Sequence, residues 1–257
     1  SFINQISPSG TALNIAVVNN DLPIVNVLLS LEGIDPSIRN SEGMTPLSSA
    51  ITSINLKLTN AILDFYGDEI KNQIWQIKKA FKKILKNEQI MPNSFIGLYP
   101  IIDRMIKNVD FNFYIKNQTL LVFACQINDK KLVEILLKSK TIDVNLCDLK
   151  SSDSPLIISI NSKNFEIADL LLGHPNININ YKNKSFQTAL TNAASNGFEK
   201  IIPYIIHHEK FDPHESCLNY AFYVSQGQIT KDLYQIEGLD VNYKFIKGDD
   251  FKTNIDK

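Results

Sequence analysis

Apolar and polar positions alternate along this chain in two helical patterns that return in the same order. The first pattern opens on a hydroxyl residue and closes a short apolar run on a small one. It reads Thr11-Ala12-Leu13-Asn14-Ile15-Ala16, and it returns from Thr45 to Ala50, Thr119 to Ala124, Ser154 to Ser159, Thr188 to Ala193 and, in its weakest form, Ser216 to Ala221. The second pattern is an apolar stripe: Ile24-Val25 with Val27-Leu28-Leu29, then Leu132-Val133 with Ile135-Leu136-Leu137, Ile167-Ala168 with Leu170-Leu171-Leu172, and Ile201-Ile202 with Tyr204-Ile205-Ile206. Leu58 with Ala61-Ile62-Leu63 is the same stripe in the second repeat. An apolar residue followed by Asp or Asn closes each cycle, as in Ile34-Asp35, Ile142-Asp143, Ile177-Asn178, Phe211-Asp212 and Leu239-Asp240.

Thr11 to Thr45 is a step of 34, Ser154 to Thr188 is 34, and Thr119 to Ser154 is 35. A fixed period of this size predicts a stack of helix-turn-helix units in place of one globular core. The opening hydroxyl caps a first helix, and Pro suits its first turn where present. Asn20, Asn128 and Gly197 fall between the two helices, where a left-handed backbone favours Gly or Asn. Neither helix buries its apolar face alone, so stacked neighbours must cover it.

These residues resemble the ankyrin repeat, with its Thr-Pro-Leu-His opening, Ile-Val-x-Leu-Leu-Leu second helix and Gly-Ala-Asp-Val-Asn finger. Residues 142–145 and 239–242 match the finger closely. The His after Thr-Pro-Leu is absent throughout, replaced by Asn14, Ser48, Val122, Ile157, Thr191 and Asn219. In the family that His bridges neighbouring repeats, so its loss implies weaker local stability. The resemblance implies an all-α ankyrin-repeat solenoid of about seven helix-turn-helix repeats with short finger or β-hairpin connections. One domain, 1–246, would hold repeats at 1–40, 41–67, 68–116, 117–150, 151–184, 185–214 and 215–246, with a C-terminal tail at 247–257. Asp232 replaces a stripe residue in the last repeat, which is expected to fray first. The chain opens in what reads as the finger of a preceding repeat.

The third repeat is irregular. Ile70, Ile74, Ile77, Phe81, Ile84 and Leu85 trace one amphipathic stretch over 70–88. Met91-Pro92-Asn93-Ser94 then breaks the chain, with Ser94 placed to cap a second helix. The stretch reads as a degenerate repeat with lengthened helices or as an inserted helical pair. Trp75 falls off the apolar stripe, among Lys71, Lys79, Lys82 and Lys86. Either Trp75 packs on a neighbouring repeat while the lysines snorkel, or this face is a second binding surface for an acidic partner.

Charge and chemistry narrow the function. The net charge is −1, against the basic stripe that general nucleic-acid binding needs. No apolar run approaches the roughly 18 residues of a membrane span, and no signal peptide is evident. Cys125, Cys147 and Cys217 lie in different repeats and read as reduced thiols, Cys125 in the core, in an intracellular, cytoplasmic protein. Heavy use of Asn, Ile and Lys looks like an AT-rich genome, such as that of a protist or parasite. There is no Gly-rich phosphate loop, His-Glu-x-x-His or Cys-x-x-Cys, so no enzyme, cofactor or metal is expected. His207, His208, Asp212 and His214 form the best metal-like cluster, but finger and helix positions explain part of it.

What remains is recognition of another protein. The ankyrin resemblance implies a concave groove of finger tips and first helices. Its matching positions are Glu42, Met44, Thr52 and Ser53; Lys116, Gln118, Gln126 and Ile127; Lys150, Asp153, Asn161 and Ser162; Lys184, Gln187, Ser195 and Asn196; and Tyr223 with Val224. Tyr114 and Lys182 lie nearby in the fingers. Met44, Tyr114, Ile127, Tyr223 and Val224 are the expected apolar anchors, exposed where solvent alone favours polarity. Two other readings stay open: the targeting part of a larger enzyme or secreted effector, and a small-molecule or metal-binding repeat protein. Self-association through an exposed end repeat is also allowed.

Overall fold

The computed structural model describes residues 2–85 and 92–212. Two compact units divide the chain, Ser1–Lys150 and Ser151–Lys257. Among the described residues there is no strand, only the single bridges Ser7–Gly10 and Ile115–Gln118 at finger turns. The described residues have the all-α ankyrin-repeat fold that the resemblance implies.

The first unit holds α1 (Ala12–Val18), α2 (Leu22–Leu29), α3 (Pro46–Thr52), α4 (Leu56–Tyr66), α5 (Ile74–Ile84), α6 (Tyr99–Met105), α7 (Leu120–Gln126) and α8 (Lys130–Leu137). Three first helices open on a side-chain cap. Thr11, Thr45 and Thr119 each accept the N–H three residues on. Second helices are capped too, by Asp21, Asn55 and Asp129. Between helices the backbone turns left-handed at Asn20 (φ 58°), Ile54 (56°) and Asn128 (57°). Asn takes this conformation readily, whereas a β-branched Ile holds it at a cost of roughly 1–2 kcal/mol.

Packing follows a ladder. α3 packs on α1 and α4 on α2; α5 packs on α3 and α6 on α4; α8 packs on α6 and α7. The irregular stretch therefore supplies the next first-and-second helix pair after α3 and α4. Its finger is replaced by a 3-10 turn, Gly67–Gln73, so the α-helix starts at Ile74 and not at Ile70. Ile70, Ile77, Phe81 and Leu85 are buried as the stripe predicts, while Ile74 and Ile84 are half-buried. Phe81 meets Phe111 edge-on at 6.0 Å, and Phe95 lies 5.5 Å from Phe123. Ser94 does not open an α-helix. It lies inside a 3-10 turn, Pro92–Leu98, and α6 follows without a side-chain cap. Cys125 is fully buried, and burial pushes its thiol far up.

The second unit holds α9 (Pro155–Asn161), α10 (Phe165–Leu172), α11 (Ala189–Ser195) and α12 (Ile202–Ile206). Ser154, Asn164 and Thr188 cap the first three. α9 packs on α10 and α11, and α12 on α10 and α11. Lys163 (φ 52°) and Gly197 (62°) hold the left-handed turns.

A side-chain bracket recurs between successive fingers. The amide of Asn4 accepts from Asp35 N–H at 2.9 Å and donates to the Gly33 carbonyl at 2.7 Å. Asn180 does the same to Asp212 N–H (3.1 Å) and the Lys210 carbonyl (2.7 Å). The missing His is also partly replaced. Asn14 donates to the Ile38 carbonyl at the far end of its own repeat at 3.1 Å, and Thr45 donates to Gln76 Oε1 on α5, in the third repeat, at 2.6 Å. The Thr45–Gln76 bond links neighbouring repeats without the His.

Candidate functional site

The groove positions in the first unit divide into exposed and interior ones. Glu42 is exposed and carries an ion pair with Lys83 at 2.7 Å, which holds its carboxyl below the usual range. Gln126 and Lys150 are exposed, and Ile127 is half-buried at the C-terminal end of α7. Thr52 and Ser53 face the surface at the end of α3, with their hydroxyls returned to the Ser48 and Ala50 carbonyls. Lys116 sits at a left-handed turn (φ 59°), and Gln118 pairs with Ile115 beside it.

Met44 contradicts the expectation of an exposed anchor, being only 3% exposed. The cause is local. Asn40 Oδ1 accepts from Met44 N–H at 2.9 Å and from Glu42 N–H at 3.1 Å, which folds the finger back and tucks Met44 beneath it. Tyr114 is half-buried, and its hydroxyl donates to the Cys147 carbonyl at 3.2 Å. Burial first, then the nearby Cys147, Asp143 and Asp148, push that phenol up from its ordinary range. Tyr114 therefore ties neighbouring fingers together as well as facing solvent.

In the second unit, Asn161 and Asn196 end successive first helices and meet at 3.0 Å. Ser162, Lys182, Lys184 and Ser195 are exposed. Asp153 accepts from the Asn183 amide at 2.6 Å, and Asn183 in turn gathers Ser185 and Gln187 N–H groups at 2.9 Å each. The turn so formed presents Phe186, left-handed (φ 59°) and 52% exposed. Phe186 was not singled out by sequence. Its place two residues before the Thr188 cap is the signal that could have found it.

The sequence sets Glu42 apart from the surface around Trp75; the structure brings the Glu42 finger against that helix. α5 follows α3 in the row of first helices, and its outward stripe carries Trp75, Lys78, Lys79, Lys82 and Lys83. Lys79 donates to the Gly43 carbonyl and lies 3.5 Å from that of Glu42, so the stripe lies against the preceding finger tip. Trp75 is 36% exposed, with the Arg39 guanidinium 4.4 Å above its ring. Partial burial, then the charges of Arg39 and Lys83, lower the Lys79 ammonium from its ordinary value. Lys78 and Lys83 were not singled out by the sequence, although they share helical spacing with Trp75; Arg39 arrives from another repeat and has no such signal. Lys71 is exposed on the preceding 3-10 turn.

The remaining candidates offer little chemistry. His208 accepts from Lys210 N–H through Nδ1 at 3.1 Å and reaches the Leu172 carbonyl at the end of α10 through Nε2 at 3.1 Å, so both ring nitrogens are engaged with backbone groups. His207 is exposed, and the backbone N–H of Asp212 is held by Asn180. Lys86, His214, Cys217, Tyr223, Val224, Asp232, the last repeat and the tail lie outside the described residues. A cavity of about 190 Å³ between the C-terminal ends of α4 and α6 is lined by Leu63, Asp64, Asp68 and Arg104 among others. That is smaller than the roughly 300–1,000 Å³ of ordinary ligand sites.

Comparison with known proteins points to the same fold. A model of ankyrin repeats in three copies matches residues 94–183. The crystal structure of the ankyrin repeat domain of Bcl-3, a member of the IkappaB protein family, is similar at 20% identity. The match covers 79% of this chain and 87% of that one, with a TM-score of 0.53. The ankyrin repeat protein EF0377 is 17% identical over 88% of this chain and 98% of that one, at a TM-score of 0.44. No described helix is long and apolar enough to cross a membrane.

Proposed function

We propose that this chain, an ankyrin-repeat protein, is a non-catalytic scaffold that holds another protein on the side lined by its finger tips and first helices. Ankyrin repeats generally mediate protein–protein interaction, and the finer reading rests on one observation. In each unit the ends of first helices and the finger tips are exposed but locally anchored, as in the Asn161–Asn196 pair. Anchored polar groups lose little conformational freedom on binding, which favours recognition over non-specific contact. The proposed contacts are Glu42, Thr52, Ser53, Tyr114, Gln126 and Ile127 in the first unit, and Ser162, Lys184, Phe186, Ser195 and Asn196 in the second. Met44 supports its finger from beneath. The repeat boundaries are those proposed from the sequence, with 68–116 as one degenerate repeat.

The test is affinity capture with two folded variants. Gln126→Lys with Ile127→Glu alters the first-helix side, and Lys131→Glu alters the second helix α8. The scaffold reading expects capture to be lost with the double variant and kept with Lys131→Glu. The opposite pattern would overturn it.

A further inference from the structure

Charge is distributed unevenly over the first unit. On the side of the second helices, cations of neighbouring helices meet acids: Arg104 pairs with Asp64, and Lys138 with Asp103 at 2.7 Å. Within α8, Lys131 pairs with Glu134 at 3.3 Å. α5 breaks this habit. Its sequence Ile74–Ile84 carries four lysines and no carboxylate. Among the described residues only Glu42 answers them, by its pair with Lys83. Lys78 and Lys82 are exposed and make no ion pair among the described residues. Arg39 adds a further cation from the other side and lies over Trp75 instead of a carboxylate.

Such an arrangement costs free energy in the unbound chain, because like charges at helical spacing repel. Burial and the charges of Arg39 and Lys83 already disfavour the Lys79 ammonium. A ligand carboxylate would relieve that repulsion, whereas a neutral or basic ligand would not. Beside the lysines, the Trp75 ring, pinned on one face by Arg39, offers a rigid apolar anchor of the kind that dominates interface energetics.

We propose that the Trp75–Lys82 stripe of α5, with Arg39, is the docking strip for an acidic polypeptide segment of the partner. This rests on the reading of fingers and first helices as the binding side, and names the chemistry that one part of it selects. Carboxylates of the segment meet Lys78, Lys82 and Arg39, and an apolar residue of the segment covers the exposed edge of Trp75. Complementary charge speeds encounter and rejects basic competitors. An acidic protein segment is favoured over nucleic acid because the strip is one helix long on a chain of net charge −1.

The chain's single Trp lies on the strip and supplies the readout. The whole chain is titrated with a fluorescein-labelled peptide of alternating Glu and Leu, and with its Lys and Leu counterpart. Saturable binding of the acidic peptide, a change in Trp75 emission, and weakening as salt rises are expected. Lys78→Glu with Lys82→Glu lowers that affinity by about tenfold or more. Trp75→Phe, which keeps the ring and abolishes the emission change, retains most of the binding. Equal affinity for both peptides, or indifference to the double charge reversal, overturns the proposal. So does tighter binding of single-stranded oligonucleotide or phosphatidylserine vesicles than of the peptide, since another class of ligand would then own the strip. If the peptide fails while partner capture still responds to Gln126→Lys with Ile127→Glu, the strip falls and the scaffold stands.

Discussion

The side-chain amide of Asn112 embraces Ile142, accepting from Asp143 N–H at 2.8 Å and donating to the Thr141 carbonyl at 2.7 Å. One amide thus acts as a short piece of sheet edge between two fingers whose backbones never pair directly at that point. Asn112→Ala removes both bonds and leaves the two backbone groups to water. We predict a loss of about 1 kcal/mol in urea unfolding, since the site is exposed and water replaces part of what is lost. Unchanged stability would mean that the fingers hold register without the bracket.

Lys163 holds a left-handed turn (φ 52°) with an exposed side chain. Asn128 holds the matching turn in the first unit (φ 57°). Lys163→Gly is predicted to raise stability by about 0.5–1 kcal/mol, the relief of strain exceeding the added freedom of the unfolded chain. Asn128→Ala should lower it by about 1 kcal/mol. Denaturant midpoints of the two variants should move in opposite directions.

His174 Nδ1 accepts from Asn176 N–H at 3.2 Å, and burial, then Lys210, hold its imidazole below the ordinary value. The unfolded chain therefore takes up this proton first. Its contribution to stability is complete above about pH 6.5 and is lost as pH falls through the lower folded value. His174→Asp keeps an acceptor, as Asp143 provides for Asn145 in another finger. The variant should lose less stability than the wild type between neutral and mildly acid pH. Equal losses would assign the acid sensitivity elsewhere.

Tyr99 donates its hydroxyl to the Asp129 carboxylate, 2.9 Å from either oxygen, and Asp129 caps α8. Burial, then Asp129, push the phenol up to about 12. Here the folded state keeps its proton longer. The stabilisation is complete below the ordinary value near pH 10 and disappears as pH rises through about 12. Tyr99→Phe should therefore be less stable than the wild type near neutrality, with the gap closing at alkaline pH. A gap that persists there would trace the loss to packing.

The repeats were legible because their signals are local. Thr11, Thr45, Thr119, Ser154 and Thr188 cap helices with atoms three residues away, and the apolar stripes show which side turns inward. What escaped depends on neighbours. Ile24 and Val27 carry the stripe yet are 50% and 61% exposed, while Leu132 and Ile135 at the matching positions are buried; the pattern gives a face, and only packing decides whether it is covered. Met44 looked like a surface anchor because nothing near it in sequence announces that Asn40 folds the finger over it. Ile70 extended the apolar period of α5 backward through a 3-10 turn whose tighter winding leaves little trace in the spacing. Arg39 and Trp75 are far apart in the chain, and their contact required the fold.

The most direct test of the scaffold is a hydrogen-exchange footprint of the captured partner on the whole chain. The account predicts slowed exchange at the fingers around Glu42, Lys116 and Lys184 and at the ends of α3, α7 and α11, with α4, α8 and α10 unchanged. Protection confined to those second helices would contradict it.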